Sequence, residues 1–243
     1  MSGRVIAGLA VSLAMLTGAG FALSAHDRGP APHHHAHRAG AGVAPVLGAA
    51  GVRRLDARPP SGRRVAAVSR RTGIPAPAVR AYARGQREAP RSCHVGWPTL
   101  AGVGWVESQH GTLGGRTLRA DGRSSSAVVG PALDGRGSFA AIRSTPGSAR
   151  LHGDARWEHA LGPMQFLPET WARWGRDGDG DGRADVLDLD DAAAGTARYL
   201  CASGGDLGTV GGWQRAVLAY NHSGDYLRSV FVAASTYARA ARR

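Results

Sequence analysis

The chain has 243 residues, a formal net charge of +12 and no lysine, so arginine carries its positive charge. Residues 1–91 hold 14 Arg against 3 acids and residues 92–243 hold 16 Arg against 15, so the basic excess belongs to the N-terminal third. The length suits one sizeable domain with additional segments, and a basic arm of this kind suits a nucleic acid, an anionic lipid or an anionic wall polymer.

The first segment narrows that choice. Val5 to Ala25 is a run of 21 residues without charge, preceded by Arg4. It reads as a secretory hydrophobic region behind a basic start, with small residues around Ala22-Leu23-Ser24 for cleavage. It is also long enough to span a bilayer uncut. Residues 1–25 are therefore expected to be a signal peptide or membrane anchor. The chain is expected to be exported to the extracellular space or cell wall, or held on the outer face of the cytoplasmic membrane. Export argues against nucleic acid and for a wall or membrane-surface partner. Residues 26–62, rich in Ala, Gly, Pro, Arg and His, show little apolar periodicity and are expected to be a disordered tether. His33, His34, His35 and His37 read as a solvated run rather than a metal site, because no second ligand set accompanies them.

From residue 63 to 243 the pattern is that of a folded domain. Ser61 can cap a short helix that ends at Gly73. Pro77 suits the first turn of a second helix reaching about Glu88. Pro98 opens a third, with Leu100, Val103 and Glu107 at i, i+3 and i+7 and Gly111 just past its end. Residues 112–153 hold many Gly and Ser and are expected to form loops and a small sheet. Helices are expected again near 168–174, 190–202, 213–220 and 225–240, with Asp190 or Asp191 capping the second of these and Ser223 the last. The fold class is mainly α (α+β) with an irregular or small β insert, and no internal repeat is present. In an exported chain the isolated pair Cys93 and Cys201 is expected to form a disulfide. Closing a loop of about 100 residues is worth roughly 4–5 kcal/mol in the chain-entropy model.

Three constellations carry chemistry. Glu107 is one of four Glu and the only one that shares a helical stripe with core-type residues. A carboxyl on a half-buried face holds its proton more tightly, as a general acid must. Gly102 and Gly104 let another backbone or a substrate approach the same helix. Spacing alone favours a plainer reading, a helix-end Glu paired with an Arg. Second, Asp177, Asp179, Asp181, Asp185 and Asp188 fall at positions 1, 3, 5, 9 and 12 of an EF-hand-like loop, with Gly182 at 6 and the backbone carbonyl of Arg183 at 7. Asp188 replaces the usual bidentate Glu, and carboxylates this dense repel one another without a cation. A structural Ca2+ is expected there; the plain alternative is an acidic turn. Third, all six Trp lie between Trp97 and Trp213, and for any one of them a core position is the better expectation. Tyr220-Asn221-His222-Ser223 forms a polar cluster between two helices.

Gly104-Trp105-Val106-Glu107-Ser108-Gln109-His110-Gly111 resembles the end of the catalytic helix of bacterial lytic transglycosylases. Gly162-Pro163-Met164-Gln165-Phe166-Leu167-Pro168 resembles their Gly-x-Met-Gln-Phe-x-Pro signature, and Ala219-Tyr220-Asn221 their Ala-Tyr-Asn signature. The acidic loop between the last two is similar to the membrane-bound lytic transglycosylase B type in its actinobacterial form, which the paired Cys also fits. The resemblance runs from about residue 63 to 238. It implies a lysozyme-like fold and a cleft for alternating N-acetylglucosamine and N-acetylmuramic acid. Glu107 would be the sole acid/base. Gln165, Tyr220, Asn221 and Met164 would line the substrate site, and no catalytic cofactor is needed. The implied partner is the peptidoglycan glycan strand, with no nucleic acid, and the implied state is a monomer. The implied reaction cleaves the MurNAc-β-1,4-GlcNAc bond and leaves 1,6-anhydro-MurNAc ends. Two departures stand out. Asp154-Ala-Arg-Trp-Glu-His159 lacks the Ser that the Gram-negative branch carries before Met-Gln-Phe, and Gln109 stands where related sequences often have Gly. The alternatives are a hydrolytic muramidase of goose-lysozyme type, with Asp121, Asp134 or Asp154 as second carboxylate, and a non-catalytic calcium-stabilised wall-binding module.

Overall fold

The computed structural model describes residues 47–136 and 140–242. The expected signal or anchor segment 1–25, the histidine run and residues 26–46 of the expected tether lie outside the described residues. Among the described residues, no helix is long and apolar enough to cross a membrane.

The mainly helical expectation is borne out. Nine α-helices are described: α1 (Ala49–Arg53), α2 (Arg63–Thr72), α3 (Ala76–Glu88), α4 (Trp97–Ser108), α5 (Pro146–His152), α6 (Pro168–Trp174), α7 (Leu189–Gly204), α8 (Val210–Tyr220) and α9 (Gly224–Ala240). The expected helices are present within a few residues of their assigned ends. Gly73 closes α2 in the left-handed region, at φ 75°, and Ser223 caps α9 by accepting the Tyr226 N–H.

α4 is the centre of the fold. Ten of its 12 residues are buried, including Leu100 and Val103, and a helix apolar on every side belongs inside. It lies against α3 on one side and α9 on another. Two glycines make that possible. A Cβ on Gly102 would come within 2.8 Å of the Val230 carbonyl oxygen of α9, and one on Gly104 would strike the Tyr82 hydroxyl of α3. The close approach read from these glycines is that of the protein's own helices. The Cys93–Cys201 disulfide, with Cα atoms 5.4 Å apart, ties the turn before α4 to α7. The single disulfide is as the sequence reading expected.

Four expectations are corrected. Residues 47–62 were assigned to the tether, yet Val52 and Leu55 are 1% and 2% exposed in the core. Val52 and Leu55, with Leu47 and Ala57 packed beside the core, are too few and too irregularly spaced to show as periodicity. At α2 the N-cap is Gly62, with no side-chain cap. At α7 the cap is Asp188, whose carboxylate accepts the Asp190 N–H, rather than Asp190 or Asp191. The insert contains α5, opened by a Thr145–Ser148 capping box and Pro146; here a local cap outweighs poor helix propensity. Around α5, among the described residues, the insert holds isolated antiparallel bridges such as Val129 with Leu161, Arg143 with Trp157 and Leu161 with Phe166.

Candidate active site

The C-terminal end of α4 meets the turn at 162–165, the end of α8 and the start of α9. Contacts along this junction bring the three sequence signatures together. The Ser108 hydroxyl donates to the Pro163 carbonyl at 2.6 Å. The Tyr220 hydroxyl donates to the Met164 carbonyl at 2.6 Å. The Tyr220 and Tyr226 rings are stacked, with centroids 6.5 Å apart, and the Tyr226 hydroxyl donates to Glu107 Oε1 at 2.5 Å.

Glu107 is 6% exposed and no Arg pairs with it among the described residues, against the plainer reading of its spacing. Burial pushes its carboxyl up to about 8, opposed by the Tyr226 hydrogen bond. The burial cost falls on the charged form alone, whereas a hydroxyl donor favours that form, so the two effects oppose each other. The result is a carboxyl that holds its proton at neutral pH and has one hydroxyl ready to stabilise the anion.

Met164 is fully buried behind the junction. Gln165 occupies the turn in the left-handed region, at φ 51°, where a non-glycine residue costs about 1–2 kcal/mol. Its side-chain amide donates to the Gly162 carbonyl at 2.8 Å. Asn221 is 4% exposed; its Oδ1 accepts the Ser223 N–H. Its Nδ2 is buried without a hydrogen-bond partner among the described residues. An orphaned buried donor is uncommon and calls for an acceptor from outside the fold.

Two residues were missed by the sequence reading. Tyr226 lies five positions beyond the Ala-Tyr-Asn signature, and its place as the third residue of α9 was the only signal of its role. His110 sits in the quoted motif but received no role. It is 2% exposed, with Nδ1 2.9 Å from the Tyr82 hydroxyl and Nε2 3.0 Å from the Tyr237 hydroxyl. Burial lowers its pKa to about 3, so it is a neutral strut joining α3 and α9 to the end of α4. Gln109 and His110 are both left-handed, at φ 51° and 62°. That accounts for the glycine common at the Gln109 position, since only glycine adopts this region without strain.

The acidic loop divides differently from the expected spacing. Carboxylate oxygens of Asp177, Asp179 and Asp191 lie within 4.8 Å of one another. Asp188, expected to close the loop, instead caps α7 and faces Arg123 at 3.9 Å. Asp185 pairs with Arg123 at 2.7 Å, Asp181 accepts the Arg183 N–H, and Arg183 itself is exposed. Asp191 accepts the N–H groups of Gly178 and Asp185, both at 2.7 Å. Burial, then repulsion from Asp188 and Asp179, still pushes its carboxyl up to about 6. Hard oxygen donors crowded against like charge suit a divalent cation such as calcium.

Residues 147–217 match the family model described as a transglycosylase SLT domain. That stretch includes the Met-Gln-Phe turn, the acidic loop and most of α8, and it supports the reading of the chain as a lytic transglycosylase. No curated protein matches the sequence. Among solved structures, the chain is similar to the Escherichia coli lytic transglycosylase Slt35 in complex with bulgecin A, at 17% identity and a TM-score of 0.46, over 82% of this chain and 81% of that one. It is also similar to Escherichia coli Slt35 in complex with calcium, at 16% identity and a TM-score of 0.43, over 80% of each chain.

Proposed function

We propose that this chain cleaves peptidoglycan glycan strands at the MurNAc-β-1,4-GlcNAc bond by transglycosylation, with Glu107 as its sole acid and base. The observation that carries the reading is a deeply buried carboxyl, protonated at neutral pH and bonded to one hydroxyl, at the junction of three signature segments. Two-carboxylate glycosidases place a second acid opposite the first. Here the influences on the Glu107 proton are burial and Tyr226. Asp154 is turned to the N–H groups of Arg156 and Trp157 and to His159. Asp121 faces Arg119 and the Arg123 N–H, and Asp134 faces Arg136.

Tyr226 holds Oε1, which leaves Oε2 to carry the proton to the glycosidic oxygen. As the bond breaks, positive charge grows at muramic acid C1 and the substrate's acetamido group stabilises it. The free Nδ2 of Asn221 is suited to accept the acetamido oxygen as its partner. Glu107, now a carboxylate held by the Tyr226 hydroxyl, takes the proton of the C6 hydroxyl as that oxygen closes on C1. The product is a 1,6-anhydro end and no water is consumed. Such a substrate places the enzyme outside the cytoplasm.

Ca2+ held by Asp177, Asp179 and Asp191 would fix the loop between α6 and α7 as a structural ion. The donor set supports it: three carboxylates converge, and the Asp177 carboxylate already organises the turn by accepting the N–H groups of Gly180 and Gly182. Mass spectrometry of sacculus digests tests the main reading. Anhydro ends are expected. Reducing ends would favour the muramidase, and no release would favour a binding module.

A further inference from the structure

Beside the candidate active site, the insert carries a recess of about 500 Å3 lined by Asp134, Arg136, Asp154, Arg156 and Trp157. This lies within the range of small-ligand sites. Nothing in the proposed cleavage reaction uses these residues, yet a chain of contacts links them to the Gln165 turn. On its rim, Asp154 bonds His159 Nε2 at 3.1 Å, and His159 Nδ1 donates to the Gly130 carbonyl at 2.7 Å. The Gly130 Cα in turn faces the Gln165 side chain, whose Oε1 would lie 2.6 Å from a Cβ there. Along the chain, Trp157 stands four residues before Leu161, which pairs with Phe166 to close the Gln165 turn. That is at most about 13 Å of extended backbone.

The charges of the recess are unequal in their commitments. Asp154 is satisfied by Arg156 N–H, Trp157 N–H and His159, and Asp134 by Arg136. Arg156 of the lining and Arg143, which stands outside it, lie over the Trp157 ring, 5.4 Å and 4.2 Å from its centroid. Among the described residues neither guanidinium has a carboxylate or a hydrogen-bond acceptor. Each guanidinium rests against the aromatic ring, and among the described residues its N–H groups are uncommitted. A guanidinium so placed suits bidentate recognition of a carboxylate.

On the reading of this chain as a lytic transglycosylase, the substrate offers carboxylates beside the sugar backbone on the peptide branch of each muramic acid. We infer that the recess receives that peptide branch, with Arg143 and Arg156 binding its carboxylates on the Trp157 platform. This makes the enzyme prefer peptide-bearing strands over bare glycan. The signal sits in the stretch where the sequence lacks the serine of related enzymes, so this chain has a different side-chain set at that point.

The test compares wild type with the double variant Arg143→Gln and Arg156→Gln on two substrates: glycan strands with free peptide stems, and the same strands stripped by an amidase. Among the described residues the two side chains make no hydrogen bond or ion pair and lose only their stacking on Trp157, so melting should change little, and calorimetry checks this. The expected result is a fall of about tenfold in kcat/KM on peptide-bearing strands, the scale of one charge-assisted hydrogen bond, with stripped strands cleaved within about twofold of wild type. Equal effects on both substrates, or none, would overturn the inference; a loss on stripped strands would assign the arginines to the lactyl carboxylate of the glycan itself. A wild type that cleaves neither substrate would overturn the transglycosylase reading, and the inference with it. Titration of a soluble disaccharide-peptide into Glu107→Gln, with and without the two arginine changes, separates binding from turnover. Equal affinity in both backgrounds would also overturn the inference.

Discussion

Replacing Glu107 by Gln should abolish turnover and at the same time stabilise the protein, by an amount that depends on pH. In the folded chain the carboxyl titrates at about 8, against 4.5 without burial. A raised pKa means that the group's contribution to stability is complete below pH 4.5 and is lost as pH rises through 8. Over that window the unfolded chain gains an ionisation that the fold does not. At about 1.4 kcal/mol per pH unit, the wild type at pH 7 is destabilised by about 3 kcal/mol. Glutamine keeps the shape, and its carbonyl can accept the Tyr226 O–H, but it never ionises. The variant should therefore melt close to wild type at pH 4.5 and higher at pH 7. For a domain of this size the rise is roughly 6–12 °C. Every other carboxylate titrates alike in the two proteins and cancels in the difference. Scanning calorimetry at the two pH values, run beside sacculus digestion, checks both halves. Equal melting differences at pH 4.5 and pH 7 would refute the burial argument. Turnover within tenfold of wild type would refute the assignment of Glu107.

Other consequences can be checked with the same assays. Activity should hold at neutral pH and decline as pH passes about 8, where Glu107 loses the proton it must donate; a limb near 5 would mean a different acid. Tyr226→Phe removes a group that lowers the Glu107 pKa, so the alkaline limb should move upward while kcat falls by about tenfold or more, the worth of one hydrogen bond to a charge. Calcium should raise the melting temperature through binding to the folded state alone, and Asp177→Ala with Asp191→Ala should remove that rise while Asp188→Asn largely keeps it. Reducing the Cys93–Cys201 bond, which spans 108 residues, should cost about 4–5 kcal/mol by loop entropy, visible as a lower denaturation midpoint in reductant.

Local signals were the legible ones. Gly73, Pro98 and Ser223 act within one helical turn, and each marks a helix end close to where the sequence placed it. The stripe of Leu100, Val103 and Glu107 correctly put a carboxyl inside. Features that depend on which distant segments meet were not legible. Tyr226 reaches Glu107 across 119 residues and Tyr237 reaches His110 across 127; nothing near either tyrosine in sequence distinguishes it from a core aromatic. The acidic loop was legible only in part, for a related reason. Spacing from Asp177 pointed to Asp188 as the closing ligand, but Asp188 is the first residue before α7 and its carboxylate serves the helix start. Asp191, the third residue of α7, is carried back over the loop, so the fold of the helix onto the loop brings a third carboxylate to Asp177 and Asp179 that the count along the chain does not give. The aromatics divide in the same way: Trp97 and Trp213 are core residues as expected, while Trp105 is 43% exposed on α4.

On the proposed mechanism, the position of Glu107 is a compromise between two demands on one group. A single carboxyl that must first give a proton and then take one works best when its two forms are close in energy at the working pH. Complete burial without a donor would hold the proton too tightly for the first step. Full exposure would lose it before substrate arrives. Tyr226 moves the balance back toward the anion without adding a charge, because a hydroxyl donor favours the carboxylate but leaves the site neutral. That donor must stay fixed on Oε1 during both steps, and α9 is the element that carries it. The same helix carries Tyr237, which holds His110 at the end of α4. α9 is thus joined to the end of α4 at two points, by one tyrosine at the Glu107 carboxyl and by another at the strut three residues on. Asn221 completes the arrangement from the end of α8 with a donor that no group satisfies among the described residues. A glycan acetamido oxygen would satisfy it at the moment when charge develops at C1, so the polar group left unpaired in the free enzyme becomes an interaction available to the bound substrate.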